Sequence, residues 1–213
     1  MDIQVWSDVV CPWCFIGKNR LEKALAQYPG DATVTYRAYQ LDPSPVPEPV
    51  RTKDALAAKF GGRERADQMF AHVTAIAAGD GLNLDFDSAI AANTFDAHRL
   101  IAWAARHGRQ SQMLDALQRA HFMQGINIGS PEAMAKVAGS IGLDEASALA
   151  YLKSDAGAGE VAADLAEARE LGITSVPFFV IDGKYAVQGA QEAATLLAAF
   201  EEISRRESVD ADR

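Results

Sequence analysis

The sequence predicts an α/β fold in which a strand–helix–strand beginning and a helix–strand–strand–helix end flank a long helical insertion. Three observations predict it. Two runs rich in β-branched and aromatic residues bracket one helical pattern within the first 41 residues, about 100 residues of nearly unbroken helical character follow, and two short strand patterns return across Asp182-Gly183.

IQVW, from Ile3 to Trp6, alternates weakly and reads as the first strand. A helical pattern then runs from about Trp13 to Tyr28, and Pro29-Gly30 stops it. TVTYRAYQL, from Thr33 to Leu41, is the second strand, so the chain opens with a βαβ unit whose strands run parallel. The stretch DPSPVPEP places four prolines between Asp42 and Pro49, where neither a helix nor a central strand persists. It reads as the exit into a second unit.

From Thr52 to Asp155 the segments DALAAKF, RERADQMFAHVTAIAAG, FDAHRLIAWAARHG, QSQMLDALQRAHFMQG, SPEAMAKVAGSIG and DEASALAYLKS are helical, with Ser130 and Asp144 as N-caps. GEVAADLAEARELG forms a further helix, ITSVPFFVIDGKYAVQG gives two short strands, and AQEAATLLAAFEEISRR a last helix. The order divides the chain into a discontinuous α/β domain of residues 1–45 and 156–204 and an inserted helical domain of residues 50–155. A disordered tail is expected over 205–213.

With 49% apolar and 23% charged residues, a chain of 213 residues can bury a proper core. Its formal net charge of −9 argues against nucleic-acid binding, which requires a basic patch. MDIQVW carries no basic segment ahead of a long apolar run, and no stretch approaches the roughly 18 apolar residues that span a bilayer. A cytoplasmic protein without membrane contact is therefore expected.

The two cysteines of the chain lie three positions apart, in SDVVCPWCFIGK. Cys11 falls at the start of the first helix, with Pro12 suited to the first helical position. Free backbone N–H groups and the positive end of the helix dipole favour its thiolate by roughly 1 to 2 kcal/mol, about one pKa unit. Cys14, one turn further in, is shielded and suits a resolving thiol. A structural crosslink, half a zinc site and two inert core cysteines are the competing readings. The crosslink closes a loop too short to give more than about 2 kcal/mol, and the zinc site lacks a third cysteine and suitably spaced histidines. A redox dithiol fits the spacing best. Asp8, three residues before Cys11, is a candidate to accept or relay the Cys14 proton, against a plain role in finishing a strand or capping a helix. Lys18 is expected to be solvated.

CPWC after the first strand, SVP at Ser175 to Pro177 and the helix–strand–strand–helix return are similar to a thioredoxin-like fold with a helical insertion, as in the DsbA family of disulfide oxidoreductases. CPWCFIGK, NTFDAHRL from Asn93 to Leu100, AHFMQGINI and VPFFVIDGKYAVQGAQ resemble its FrnE-like cytoplasmic branch. The resemblance spans nearly the whole chain. It implies that Cys11 is the nucleophile, Cys14 the resolving thiol, Pro12 and Trp13 their tuning dipeptide, and Pro177 a cis-proline facing the pair. It further implies that Val176 offers its backbone to an extended substrate and that His98 and Arg99 project toward the groove above the cysteines. Trp13 stands where the periplasmic oxidants carry histidine, so a less oxidising pair is expected, with Trp13 as an apolar rim for clients.

Thiol–disulfide exchange or isomerisation on disulfide- or thiol-bearing polypeptides, or on small disulfides, is the expected activity. No cofactor is required, and glutathione is a candidate redox partner; monomer and homodimer are both open. Kappa-class glutathione transferases and 2-hydroxychromene-2-carboxylate isomerases resemble the same layout, but they carry a serine near the Cys11 position and an Asp-Arg pair where this chain has GAQE at Gly189 to Glu192. A non-catalytic binding module serving a biosynthetic pathway is the third reading, and it would survive loss of both thiols.

Overall fold

The computed structural model describes residues 1–57 and 59–211. Strand β1 (Asp2–Ser7) leads into helix α1 (Pro12–Leu25) and strand β2 (Thr33–Ala38), and β1 and β2 pair in parallel with Asp2 opposite Thr33 and Ser7 opposite Ala38. Helices α2 (Thr52–Ala57), α3 (Arg63–Gly79), α4 (Phe95–Ala105), α5 (Gln110–Gln124), α6 (Pro131–Ser140), α7 (Glu145–Leu152) and α8 (Ala158–Glu170) follow. Strands β3 (Phe178–Ile181) and β4 (Tyr185–Gln188) and helix α9 (Ala193–Ala211) complete the order. The sheet runs β2-β1-β3-β4, with β3 antiparallel to both of its neighbours.

Local chemistry explains many of the boundaries. Ser130 accepts a hydrogen bond from Ala133 N at 3.3 Å, and Asp144 accepts one from Ser147 N at 2.7 Å, so both cap the helices that they begin. Between β3 and β4 the chain reverses at Asp182 and Gly183, both at positive φ (51° and 65°), the geometry an Asp-Gly hairpin supplies. Asp182 also receives the Asp2 N–H at 2.7 Å, which locks the hairpin to the start of β1.

One hydrophobic core runs from the sheet into the insertion, joining Ile3, Val5, Leu21, Phe179 and Phe200 to Leu100, Leu114 and Leu117. A second cluster seats Phe15 and Ile16 of α1 against Phe70, Phe86 and Phe122 of the helical part, with the Phe15 and Phe122 rings stacked at 6.1 Å. Helix α1 is thus packed against the insertion along most of its length.

The free edge of β2 is covered by side chains. Gln110 accepts from Tyr36 N and donates to Tyr36 O, both at 3.0 Å, and Asp164 accepts from Ala38 N at 2.9 Å while pairing with Arg37.

The tail departs from expectation over 205–211, where α9 continues as helix. Lys184 and the Tyr185 hydroxyl both reach Glu207, at 2.7 and 3.0 Å, and Arg205 and Arg206 pair with Glu202 one turn back. Residues 212 and 213 lie outside the described residues. No helix among the described residues is long and apolar enough to cross a membrane.

Candidate active site

Cys11 is the N-cap of α1, in extended conformation (φ −88°, ψ 114°), with Pro12 in the first turn. Its N–H bonds Asp8 O at 3.1 Å, and its carbonyl accepts from Cys14 N at 3.0 Å and Phe15 N at 3.3 Å. The turn from β1 therefore delivers the Cys11 sulfur to the end of the helix where backbone N–H groups lack intrahelical partners. A short apolar cluster of Trp6, Ile173 and Val176 surrounds both cysteines, with Tyr39 and Phe178 beside it. The thiols are free, 4% exposed at Cys11 and 1% at Cys14.

The two sulfurs have unequal surroundings. Burial, followed by the hydrogen bond and charge of Cys11, pushes the Cys14 thiol well above the ordinary cysteine range, while the Asp8 backbone N–H and the Ser7 hydroxyl pull it partly back. Cys14 is thus held protonated, chiefly by its burial.

Pro177 follows a cis peptide bond with Val176, as the resemblance implied. Val176 O lies 3.8 Å from the Cys11 sulfur. On the far side of the proline ring lies Gly17 of α1, where a Cβ would come within 2.8 Å of Pro177 Cγ. Only a glycine lets the helix sit this close. Arg20, one turn later and largely buried, pairs with Asp80 at 2.8 Å and Glu192 at 2.7 Å and donates to Ala190 O at 2.8 Å. It ties α1 both to the insertion and to the segment after β4. Sequence reasoning missed Gly17 and Arg20; a glycine inside a helical pattern was the available signal for the first.

Trp13 turns outward beside the thiols, at 36% exposure. Asp8 is fully buried; its Oδ2 accepts from Leu41 N at 2.8 Å, and its Oδ1 lies 3.4 Å from His98 Nε2. His98 does not project into a groove above the cysteines. It is buried in the first turn of α4, with Nε2 2.9 Å from Tyr39 O. Two oxygens face that nitrogen, so it carries the proton in the neutral ring. Arg99 is also drawn inward, donating to the carbonyls of Tyr151, Leu152, Ser154 and Ala156 and pairing with Asp96. The carbonyls that gather at the end of α7 and in the turn after it account for its position. Lys18, expected in solvent, is 4% exposed and bonds Glu22 at 2.5 Å with Asp115 at 3.8 Å.

Behind Asp8, His121 of α5 is fully buried with neither ring nitrogen hydrogen-bonded, and both amide atoms of Gln118 one turn earlier are likewise without partners among the described residues. Burial holds the His121 pKa down at about 4, with the Asp8 carboxylate opposing. No cluster of three His, Cys, Asp or Glu side chains among the described residues is arranged to hold a metal ion.

Comparison with known proteins bears on this arrangement. The family model for the DSBA-like thioredoxin domain matches residues 2–201. A probable DsbA oxidoreductase from Streptomyces coelicolor is 38% identical, with a TM-score of 0.89 over 95% of this chain and 89% of that one. Cytosolic disulfide reductase DsbM from Pseudomonas aeruginosa, solved with GSH, is 22% identical, with a TM-score of 0.61 over 97% of this chain and 100% of that one. A 2-hydroxychromene-2-carboxylate isomerase is 16% identical, with a TM-score of 0.72 over 98% of each chain. The last two show likeness of fold.

Proposed function

Because the chain belongs to the DsbA-like thioredoxin-domain family of disulfide oxidoreductases, we propose that it exchanges thiols and disulfides through Cys11 and Cys14, on polypeptides or small disulfides. The observation that carries the assignment is the inequality of the two sulfurs: Cys11 at the N-terminus of α1, Cys14 buried one turn inside and held protonated. Cys11 thiolate attacks a substrate disulfide, forms a mixed disulfide and expels the first thiolate. Cys14 then attacks the Cys11 sulfur and releases the second. Such an order needs the outer thiol to ionise first, and burial of the inner one supports it.

Val176 and Pro177 form the backbone wall beside Cys11, and Trp13 gives the site an apolar rim. We assign the chain to the FrnE-like cytoplasmic branch, working as reductase or isomerase with glutathione as redox partner. The likeness to a cytosolic reductase solved with GSH supports this direction. The intact thiol pair favours exchange over the glutathione-dependent isomerase reading.

Equilibration in glutathione buffers tests both parts. Oxidation should remove the mass of two hydrogens, and Cys14→Ala should accumulate a glutathione adduct on Cys11. A reduction potential of about −200 to −270 mV is expected, whereas one near about −120 mV would mark a strong oxidant and overturn the reductive assignment. If no disulfide forms between Cys11 and Cys14 in any buffer, the exchange reading itself is lost.

A further inference from the structure

The cis peptide bond before Pro177 shapes the backbone wall beside Cys11, and something must hold that wall in place. Next to it runs an irregular stretch, residues 189–192, which joins β4 to α9. Neither strand nor helix fixes this stretch, so its position depends on individual hydrogen bonds.

Gly189, at φ 79°, turns its N–H onto the Pro177 carbonyl at 2.8 Å. The next carbonyl, Ala190 O, accepts from Arg20 Nη1 at 2.8 Å, and Glu192 meets Arg20 Nη2 at 2.7 Å. The third nitrogen of the guanidinium, Nε, donates at 2.8 Å to Asp80, the residue that ends α3. The Arg20 and Asp80 side chains are only 10% and 11% exposed, so little water competes for these bonds. One rigid planar group thereby joins the insertion, α1 and the stretch that holds Pro177. Gly17 completes the seat. A Cβ there would stand 2.8 Å from Pro177 Cγ and 3.6 Å from Ala190 Cα, so the proline ring and the stretch bear on the same turn of α1.

We propose, resting on thiol–disulfide exchange by Cys11 and Cys14, that Arg20 is a positioning residue for the Val176–Pro177 wall and so sets how well polypeptide disulfides are held relative to small ones. An extended polypeptide lies along the wall while its disulfide meets Cys11, and its binding depends on where the wall stands. A small disulfide needs the Cys11 sulfur alone. The first chemical step is common to both. The Cys11 thiolate bonds to one sulfur of the substrate, the substrate S–S bond breaks, and the electron pair leaves on the other sulfur as a thiolate. Arg20 takes no part in that exchange of bonds.

Two probes with one leaving group test the assignment: a symmetrical aromatic disulfide, and a short extended peptide whose single cysteine carries the same aromatic thiol. Attack by Cys11 expels the coloured thiolate from each. The dependence of the first release on probe concentration gives a half-saturating concentration and a limiting rate. Arg20→Lys keeps the charge and loses the fork. Its half-saturating concentration for the peptide should rise about tenfold at an unchanged limiting rate, the worth of about one charged hydrogen bond lost from binding. Release from the aromatic disulfide should stay within about twofold of normal, because binding along the wall is not used there. Asp80→Asn loosens the same fork from the insertion side and should raise the same peptide value. Lys23 also reaches Asp80, at 3.1 Å, so the carboxylate keeps a cation when Arg20 is replaced. Urea unfolding checks that each variant is folded, and Asp80→Asn carries the test if Arg20→Lys is not. Equal slowing of both probes, a loss confined to the limiting rate, or an unchanged peptide value in the folded variants overturns the positioning role. Absence of coloured release from the aromatic disulfide in the unaltered protein would instead remove the exchange reading.

Discussion

Acid should unfold this protein partly through a single histidine. The His121 ring is completely buried and unpaired, and its pKa lies at about 4 against an ordinary 6.5. Because the folded value is the lower one, the unfolded chain binds the proton first as pH falls. The folded state keeps its full advantage above pH 6.5 and loses it progressively down to about 4. At about 1.4 kcal/mol per pKa unit, that interval is worth about 3 kcal/mol. This is a large fraction of the 5–15 kcal/mol or so that holds a domain together. Urea unfolding followed by tryptophan fluorescence, at pH 7 and pH 4, measures the loss directly. His121→Leu removes the titrating ring and keeps a side chain suited to the core. Its stability should fall by about 3 kcal/mol less over this interval than that of the unaltered protein. The carboxylates are common to both proteins, so the difference isolates the ring. Equal acid sensitivity in the two would refute the reasoning, as would a His121 resonance titrating near 6.5 in the folded state.

Three further outcomes follow from packing and hydrogen bonding. Gly17→Ala forces a Cβ against the Pro177 ring, and should lower the urea-unfolding free energy by about 1–3 kcal/mol while slowing thiol exchange. Arg99→Lys keeps the charge but loses the fork that serves four carbonyls; a loss of about 3 kcal/mol by chemical unfolding is expected, and a change below about 1 would contradict the clamp. Gln110→Ala opens the β2 edge, and should cost about 1–3 kcal/mol and raise amide exchange at Tyr36 in particular.

Features written in local chemistry were legible in the sequence. The Asp182-Gly183 reversal, the Ser130 and Asp144 caps and the placement of Cys11 ahead of Pro12 each depend on a few adjacent residues. The cis bond before Pro177 was legible only through family likeness, since a lone X-Pro gives no sign of its isomer. What stayed hidden depends on partners far along the chain. The last turns of α9 look like a polar tail until Lys184 and Tyr185 meet Glu207. Lys18 reads as a solvated lysine until α5 brings Asp115 over it. His98 lies one position from Arg99, yet both turn inward because Tyr39 O and the carbonyls ending α7 lie there. Gly17 carries no motif and matters through a proline 160 positions away.

The side-chain cover on β2 bears on how this protein behaves when crowded. Gln110 occupies the hydrogen-bonding groups that a neighbouring chain would use, and Asp164 takes the next one. Fibre growth by sheet extension needs two open rims, one to receive and one to offer. With this rim occupied, β4 is the remaining one, and pairing rim to rim through β4 stops at two molecules. A member of this oxidoreductase family is thereby spared from templating its own polymer.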